Sequence, residues 1–226
     1  MNVARQPFAR LADYAYAGWR QVHGWVSRAR PEDFADGPST PVLVIPGVYE
    51  RWQFMLPLVR ELHGAGHPVH VVSTLRSNSA PVPRAAQLVS EYLAARELCN
   101  VTIVAHSKGG LIGKHVMGFG DASDRVRHMV AIATPFGGSR YADLMIGRTL
   151  RAFRPGDETL TLLAKSLTTN ERIVSVYPSF DPHIPEGSRL DGAHNLIVAT
   201  SGHFRILSHR DTRSEVMRVA GAKRLD

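Results

Sequence analysis

Hydrophobic residues recur along this chain in short, β-branched runs that alternate with longer segments whose apolar positions are spaced three or four apart. The short runs predict buried strands, and the longer segments predict amphipathic helices. Because strand and helix alternate from Val42 onward, the pattern indicates an α/β protein with a mostly parallel central sheet and helices on both faces. The predicted strands are Val42–Ile45, Val69–Val72, Val101–Ala105, one strand within Arg127–Ala133, Arg172–Val176 and Asn195–Thr200, and the predicted helices are Trp52–His63, Arg84–Leu98, Gly109–Phe119 and Thr212–Ala220.

Two segments depart from this alternation. Residues 8–29 have the spacing of an amphipathic helix, and the stretch from Pro31 to Pro41 contains the breakers of a linker. We therefore divide the chain into an N-terminal helical extension, residues 1–37, and a main domain, residues 38–226. The segment between the fourth and fifth strands is too long for a simple crossover. Its apolar residues, which include Leu144, Met145 and Ile146, predict a short helical cap at about 137–170; the alternative is a crossover helix with a long loop.

Composition narrows the class of protein without identifying a function. The chain has 226 residues, of which 44% are hydrophobic and 21% charged, as in ordinary globular domains. The formal net charge is +7, but the basic residues are scattered, so we expect no nucleic-acid partner. The single cysteine excludes an intramolecular disulfide. No signal peptide or membrane-spanning run is recognisable, so a cytoplasmic location is expected.

The strongest chemical motif follows the third predicted strand, which leads through Ala105-His106-Ser107-Lys108-Gly109-Gly110 into a helix. A serine on such a sharp turn has its hydroxyl lifted out of the sheet, near the N-terminus of the helix, where negative charge is favoured. Small neighbours are needed because strand and helix approach closely there. The pattern predicts Ser107 as a nucleophile; the alternative is a glycine-rich turn with a capping serine.

This stretch resembles the nucleophile elbow of the α/β-hydrolase superfamily, particularly its lipase and esterase branch, although Ala105 stands where the usual motif has glycine. Residues 44–48, Val-Ile-Pro-Gly-Val, resemble the first oxyanion loop of the same family. The resemblance implies that the backbone N–H groups of Val48 and Lys108 stabilise a negatively charged oxygen. For the side chain of Lys108, we favour a solvent-facing position over contact with an acidic group of the substrate.

The resemblance also implies an acid and a base, which follow the serine in that order in this fold. Asp181 follows the fifth strand and precedes a proline, like the acid loop of the family, and His203 follows the sixth strand in a Gly-His pair. Asp181 would orient His203, which would take the proton of Ser107. The rival residues are His194 and Asp191, which precede the last strand, His183, which shares the loop of Asp181, and His209, which is placed to cap the final helix.

Together these motifs imply a serine-dependent hydrolase of carboxylic esters that acts through an acyl-enzyme on a small-molecule or lipid-like substrate. No cofactor or metal is expected. The alternatives are an acyltransferase or thioesterase that uses the same triad, and a binding protein of the same fold without turnover. The N-terminal helix, with its tryptophans and arginines, could also contact a membrane surface, but we favour packing on its own domain or on a partner subunit. The sequence does not indicate an oligomeric state.

Overall fold

The central element of the part of the chain that the structure describes is a sheet of six strands. The computed structural model describes residues 6–143 and 148–222. Every pair of neighbouring strands is parallel, in the spatial order β2-β1-β3-β4-β5-β6. All six predicted strands are present, so the predicted parallel sheet is confirmed. The strands are β1 (Val42–Ile45), β2 (Val69–Val71), β3 (Val101–His106), β4 (Val126–Ile132), β5 (Ile173–Phe180) and β6 (His194–Ser201).

The helices that follow the strands lie close to their predicted positions. The helix predicted from Trp52 opens as a 3₁₀ turn, Trp52–Met55, before its α-helical part begins. The last helix begins at Arg210, two residues earlier than predicted, because the ring of His209 accepts the N–H of Asp211 and caps it. The α-helices are α1 (Gln6–Val26), α2 (Leu56–Gly64), α3 (Val82–Ala95), α4 (Lys108–Phe119), α5 (Arg148–Arg151), α6 (Glu158–Ala164), α7 (Leu167–Asn170) and α8 (Arg210–Gly221).

Both faces of the sheet are covered, as the run of buried strands predicts. In β1, Leu43 and Ile45 belong to a buried cluster that includes side chains of α3 and α4. Val42 and Val44 point the other way, into a second cluster with side chains of α2 and α8. Successive side chains of a strand face opposite sides of a sheet. The two clusters therefore hold the carboxyl ends of the strands in fixed positions, where residues that follow β3, β5 and β6 can meet.

Helix α1 packs on the rest of the chain, as the sequence analysis favoured, but it does so through its polar face. Arg20 is buried and its guanidinium donates to the carbonyl oxygen of Phe54, at 2.5 and 3.1 Å. Large apolar side chains of the same helix, among them Leu11 and Trp19, point outward. An amphipathic surface helix normally buries its apolar stripe. Buried charged groups hold this one instead.

None of the helices in the described ranges combines the length and the apolar character that a membrane span needs. The division of the chain at residue 37 stays a prediction.

The segment between β4 and β5 is helical where the structure describes it. A 3₁₀ turn at Arg140–Asp143 is followed by the short helices α5, α6 and α7. Leu160 and Leu163 of α6 are buried in the cluster that contains α4 side chains, so part of this segment belongs to the core of the domain. The apolar residues Leu144, Met145 and Ile146, which contributed to the cap prediction, lie outside the described residues.

Candidate active site

Ser107 occupies the sharp turn between β3 and α4. Its backbone has φ 51° and ψ −121°, a left-handed conformation that costs energy for a residue with a side chain. The turn is held in place because the N–H of Ser107 donates to the carbonyl oxygen of Ile132 on the neighbouring strand, at 2.8 Å. Strain of this kind lifts the hydroxyl above the end of the sheet. Ser107 is 8% exposed and lines a cavity with mostly apolar walls.

The glycines after Ser107 permit the close approach that the sequence predicts. A β-carbon at Gly109 would overlap the carbonyl oxygen of Ile45 and come within 2.9 Å of that of Pro46. A β-carbon at Gly110 would overlap the side chain of Thr134. Helix α4 therefore begins directly against the loop that follows β1. Ser107 and the loop that resembles an oxyanion loop are brought together by this contact.

We expect Gly109→Ala to destabilise the protein, although alanine is a better helix former than glycine by about 1 kcal/mol. Overpacking against a fixed backbone costs about 1–3 kcal/mol or more, which outweighs the helix preference. The melting temperature should fall by about 2–4 °C for each kcal/mol in a chain of this size. Thermal unfolding followed by circular dichroism measures this fall. Gly137→Ala is the control, because its β-carbon would meet no atom within 4 Å; equal melting temperatures of the two variants would contradict the argument.

The three residues predicted as nucleophile, base and acid meet in one line of hydrogen bonds. The Nε2 atom of His203 lies 3.0 Å from Oγ of Ser107. The Nδ1 atom of the same ring lies 2.8 Å from Oδ2 of Asp181. The other carboxylate oxygen, Oδ1, accepts the backbone N–H groups of His183 and Ile184, at 2.7 and 3.1 Å. The Asp181 side chain is thus fixed at both oxygens, with one of them on the histidine.

The surroundings of this pair shift both of its pKa values. Burial favours the neutral form of Asp181, but the charge of His203 and the hydrogen bonds from His203 and His183 outweigh it, so the pKa of Asp181 is lowered. Burial also opposes the charged form of His203. The negative charges of Asp181, Glu50 and Asp13 prevail, and the pKa of His203 is raised. The site therefore stabilises an imidazolium beside a carboxylate, which is the charge arrangement that arises when His203 takes a proton.

The rival residues occupy other places. His183 lies in the loop of Asp181, as predicted, with its ring centroid 4.9 Å from that of His203. Burial, followed by the charge of His203, lowers the pKa of His183 to about 4, so its ring is neutral near pH 7. His194 is the first residue of β6, at the opposite end of that strand from His203. His183 therefore forms part of the wall of the site and does not contact Ser107 through any described hydrogen bond.

A buried Glu50–His106 pair, which the sequence analysis missed, lies behind the serine. The Nδ1 atom of His106 is 2.9 Å from a carboxylate oxygen of Glu50, and its Nε2 atom is 3.0 Å from the backbone carbonyl oxygen of His203. Both ring nitrogens face oxygen atoms. Glu50 also accepts the N–H of Gly47, at 2.7 Å. Only the position of His106 beside Ser107 hinted at this pair.

The preference for a solvent-facing Lys108 side chain is wrong. The side chain is buried, and its ammonium donates to the carbonyl oxygens of Asn78, at 2.6 Å, and Ala80. Asn78 in turn donates to the carbonyl oxygen of Pro46, at 2.7 Å. Burial lowers the pKa of Lys108 to about 8. Lys108 thus supports the loop after β1 indirectly, through Asn78. Its acceptors are backbone carbonyl oxygens of a neighbouring loop, and no sequence pattern reveals such partners.

A cavity of about 470 Å³ opens over Ser107 and His203. Val48, from the loop after β1, lies in its wall, while Lys108 is the first residue of α4. Apolar side chains of the helical segment after β4 form another part of the wall, and residues of α1 form the remaining part described here. A ligand with an apolar portion suits such a cavity. The residues from α1 are Tyr14, Ala17, Gly18 and Gln21, and those from the helical segment include Ala142, Leu150 and Phe153.

Solved structures with the same architecture include several hydrolases. A lipase of Bacillus licheniformis in its mature form superposes with a TM-score of 0.65 at 14% sequence identity, over 83% of this chain and 93% of that chain. Lipase B of Aspergillus fumigatus gives 0.64 at 15% identity, over 81% of this chain and 53% of that chain. The enol-lactonase of Burkholderia xenovorans gives 0.57 at 12% identity, over 80% and 91% of the two chains.

No protein-family model matches the sequence. The structural likeness shows that this chain has the α/β-hydrolase fold, and the fold predicted from the sequence is confirmed. At this level of identity the likeness does not extend to activity. The case for a function therefore depends on the geometry of the site.

Proposed function

We propose that this protein is a serine hydrolase that cleaves carboxylic esters with an apolar acyl group. The observation that carries the proposal is the line from Ser107 through His203 to Asp181, with 3.0 and 2.8 Å between the paired atoms. A serine hydroxyl becomes an effective nucleophile when a base accepts its proton and an acid orients that base. Lipases and a lactonase among the similar structures support a hydrolytic reaction.

In the first half of the reaction, Oγ of Ser107 attacks the ester carbonyl carbon while Nε2 of His203 takes the hydroxyl proton. The carbonyl oxygen becomes an oxyanion, for which the backbone N–H groups of Val48 and Lys108 are the proposed donors. Asp181 keeps the other proton of the ring on Nδ1 and stabilises the imidazolium. The carbon–oxygen bond to the alcohol then breaks, and His203 gives its proton to the leaving alcohol. An acyl group remains on Ser107.

In the second half, water attacks the acyl carbonyl, and His203 takes a proton from the water. The intermediate collapses with the bond to Ser107 broken. His203 returns the proton to Oγ, and the carboxylic acid leaves. The apolar wall of the cavity suits a hydrocarbon acyl group, because burial of each methylene contributes about 0.8 kcal/mol. A preference for chains longer than acetyl follows from this wall.

Hydrolysis of p-nitrophenyl esters from acetate to palmitate tests the proposal. We expect turnover by the full chain, with a higher kcat/KM for an intermediate acyl length than for acetate. Reaction with thioesters, and with esters in the presence of an added alcohol, separates hydrolysis from the thioesterase and acyltransferase alternatives. A protein that cleaves no ester and is not labelled at Ser107 by a fluorophosphonate would be the non-catalytic binding protein, and the proposal would be wrong.

The pH dependence of the reaction should follow the raised pKa of His203. The ring accepts the proton of Ser107 only when it is neutral, so activity is lost as the pH falls through that pKa. We therefore expect the acid limb of kcat/KM to lie above 6.5, the ordinary value for histidine. Initial rates across the acidic and neutral range measure it. A limb in the range of an ordinary carboxylate would indicate a different base.

A further inference from the structure

The carboxylate of Asp13, on helix α1, receives three backbone hydrogen bonds from the loop that carries His203. Its Oδ2 atom accepts the N–H of His203 itself, at 2.8 Å. Its Oδ1 atom accepts the N–H groups of Phe204 and Arg205, at 3.0 and 2.9 Å. Asp13 has no exposed surface. Each hydrogen bond from an N–H group to a carboxylate is charge-assisted, so these three contacts are stronger than hydrogen bonds between neutral groups.

The loop is shaped to receive this side chain. Gly202 has φ +115°, a conformation that favours glycine, and a β-carbon there would overlap the Asp13 carboxylate and lie within 2.7 Å of its Cγ. The chain then turns into the 3₁₀ turn Arg205–Ser208, whose first N–H group, that of Arg205, donates to Asp13. The free N–H groups at the start of a helical turn favour a negative charge. Helix α1 thus caps this turn from 192 residues away in sequence.

The same peptide units are held from the opposite side. The carbonyl oxygen of His203 contacts Nε2 of His106, at 3.0 Å, and His106 is fixed in turn by Glu50. The backbone N–H and C=O of His203 therefore both have buried side-chain partners. With Asp181 on Nδ1, the ring has few ways to leave the position in which Nε2 faces Ser107.

We propose that Asp13 is a positioning residue for His203: through the backbone of residues 203–205, it fixes the ring in reach of Ser107. The inference rests on the proposed function, in which His203 is the base. Misplacement of a catalytic group by about 1 Å can cost about 10²-fold in rate. The N-terminal helix thereby belongs to the catalytic apparatus, and this role adds to its contribution to the cavity wall.

The first readout is kinetic, and it compares Asp13→Ala and Asp13→Asn with Leu11→Ala. Leu11 lies on the same helix but points outward, so its variant should behave as the wild type. In Asp13→Ala, kcat for the best p-nitrophenyl ester should fall by about 10²-fold. KM should change little, because Asp13 is not among the residues that line the cavity. Asp13→Asn keeps the side-chain volume and one acceptor oxygen, so its decrease in kcat should be smaller. This variant provides the test if Asp13→Ala does not fold.

The second readout, the NMR titration of the His203 imidazole, does not require turnover. The titratable groups that face His203 are Asp181, Glu50, Asp13, His106 and His183. The negative charge of Asp13 helps to raise the pKa of His203, so Asp13→Asn should move the titration midpoint to lower pH. The acid limb of kcat/KM should move in the same direction. Leu11→Ala should leave both unchanged.

A role in folding alone would lower the melting temperature of the Asp13 variants and leave kcat as in the wild type, below the unfolding transition and at a pH where His203 is neutral in both proteins. That result would overturn the proposal. The titration is measured whether or not an ester is cleaved. Failure of the proposed function, seen as no ester turnover and no fluorophosphonate label in the wild type, is therefore distinguishable from failure of the role of Asp13. The result expected is a fall in kcat together with a lower His203 midpoint.

Discussion

Replacing Ser107 with alanine should reduce ester turnover by about 10⁴-fold or more, to the level that binding and oxyanion stabilisation alone provide. The substitution removes the Oγ atom that lies 3.0 Å from Nε2 of His203 and leaves no group to carry the acyl intermediate. Alanine must adopt the same left-handed backbone at this turn. The substitution leaves the backbone contacts that hold the turn in place, so we expect the fold to be kept. Steady-state rates with the preferred p-nitrophenyl ester measure the loss. Fluorophosphonate labelling should disappear with the activity.

Ser90→Ala is the control for the loss of a hydroxyl, because Ser90 lies on α3 and does not line the cavity. Its rate should stay within about threefold of the wild type, because Ser90 lies outside the cavity and substitutions away from such features usually change stability by only about 0.5 kcal/mol. Circular dichroism of both variants separates lost chemistry from lost folding. If Ser107→Ala kept its turnover or its covalent label, another residue would be the nucleophile, and the assignment of the site would be wrong.

The sheet and the sharp turn at Ser107 could be predicted because both depend on short-range patterns. Buried parallel strands are continuous apolar runs, and β1 and β3 were recognisable as such. The turn at Ser107 needs small residues at fixed offsets, and Gly109 and Gly110 supply them. The order of Asp181 and His203 after the strands placed them at the same edge of the sheet. Their meeting in space then follows from the parallel topology.

The polar contacts that support the site could not be predicted in the same way. Asp13 and Glu50 lie in segments whose local pattern predicts only a surface helix and a turn, yet both are buried against partners far along the chain. Hydrogen bonds to backbone groups of distant loops leave no periodic signal in a sequence. Lys108 was misjudged for this reason, since its partners are carbonyl oxygens of the loop at Asn78 and Ala80.

Helix α1 shows how the same limit affects a whole element. Its periodicity correctly predicted a helix, and the apolar side chains indicated the face that should be buried. The observed packing instead buries Asp13 and Arg20, each of which has hydrogen-bond partners; left unpaired, a buried charge would cost several kcal/mol.

Asp181→Asn should lower kcat by about 10⁴-fold while leaving the fold intact. The carboxylate now accepts at both oxygens: from the His203 ring on Oδ2 and from backbone N–H groups on Oδ1. If the amide oxygen of asparagine keeps the backbone contacts, its NH₂ group faces Nδ1 of His203. The ring must then carry its proton on Nε2, where it donates toward Ser107 and cannot accept the hydroxyl proton. Steady-state kinetics, with circular dichroism to verify folding, measure the effect.

Asp191→Asn is the matched control, because Asp191 is exposed, precedes β6 and contacts Arg189 at the surface. The pair of variants removes the same formal charge from the chain, so an effect of net charge alone would reduce both rates. A tautomer effect reduces only the rate of Asp181→Asn. In that variant alone, the NMR signals of the His203 ring should show Nε2 protonated and Nδ1 unprotonated. A variant that lost activity with the proton still on Nδ1 would show that Asp181 acts through charge and not through orientation of the ring.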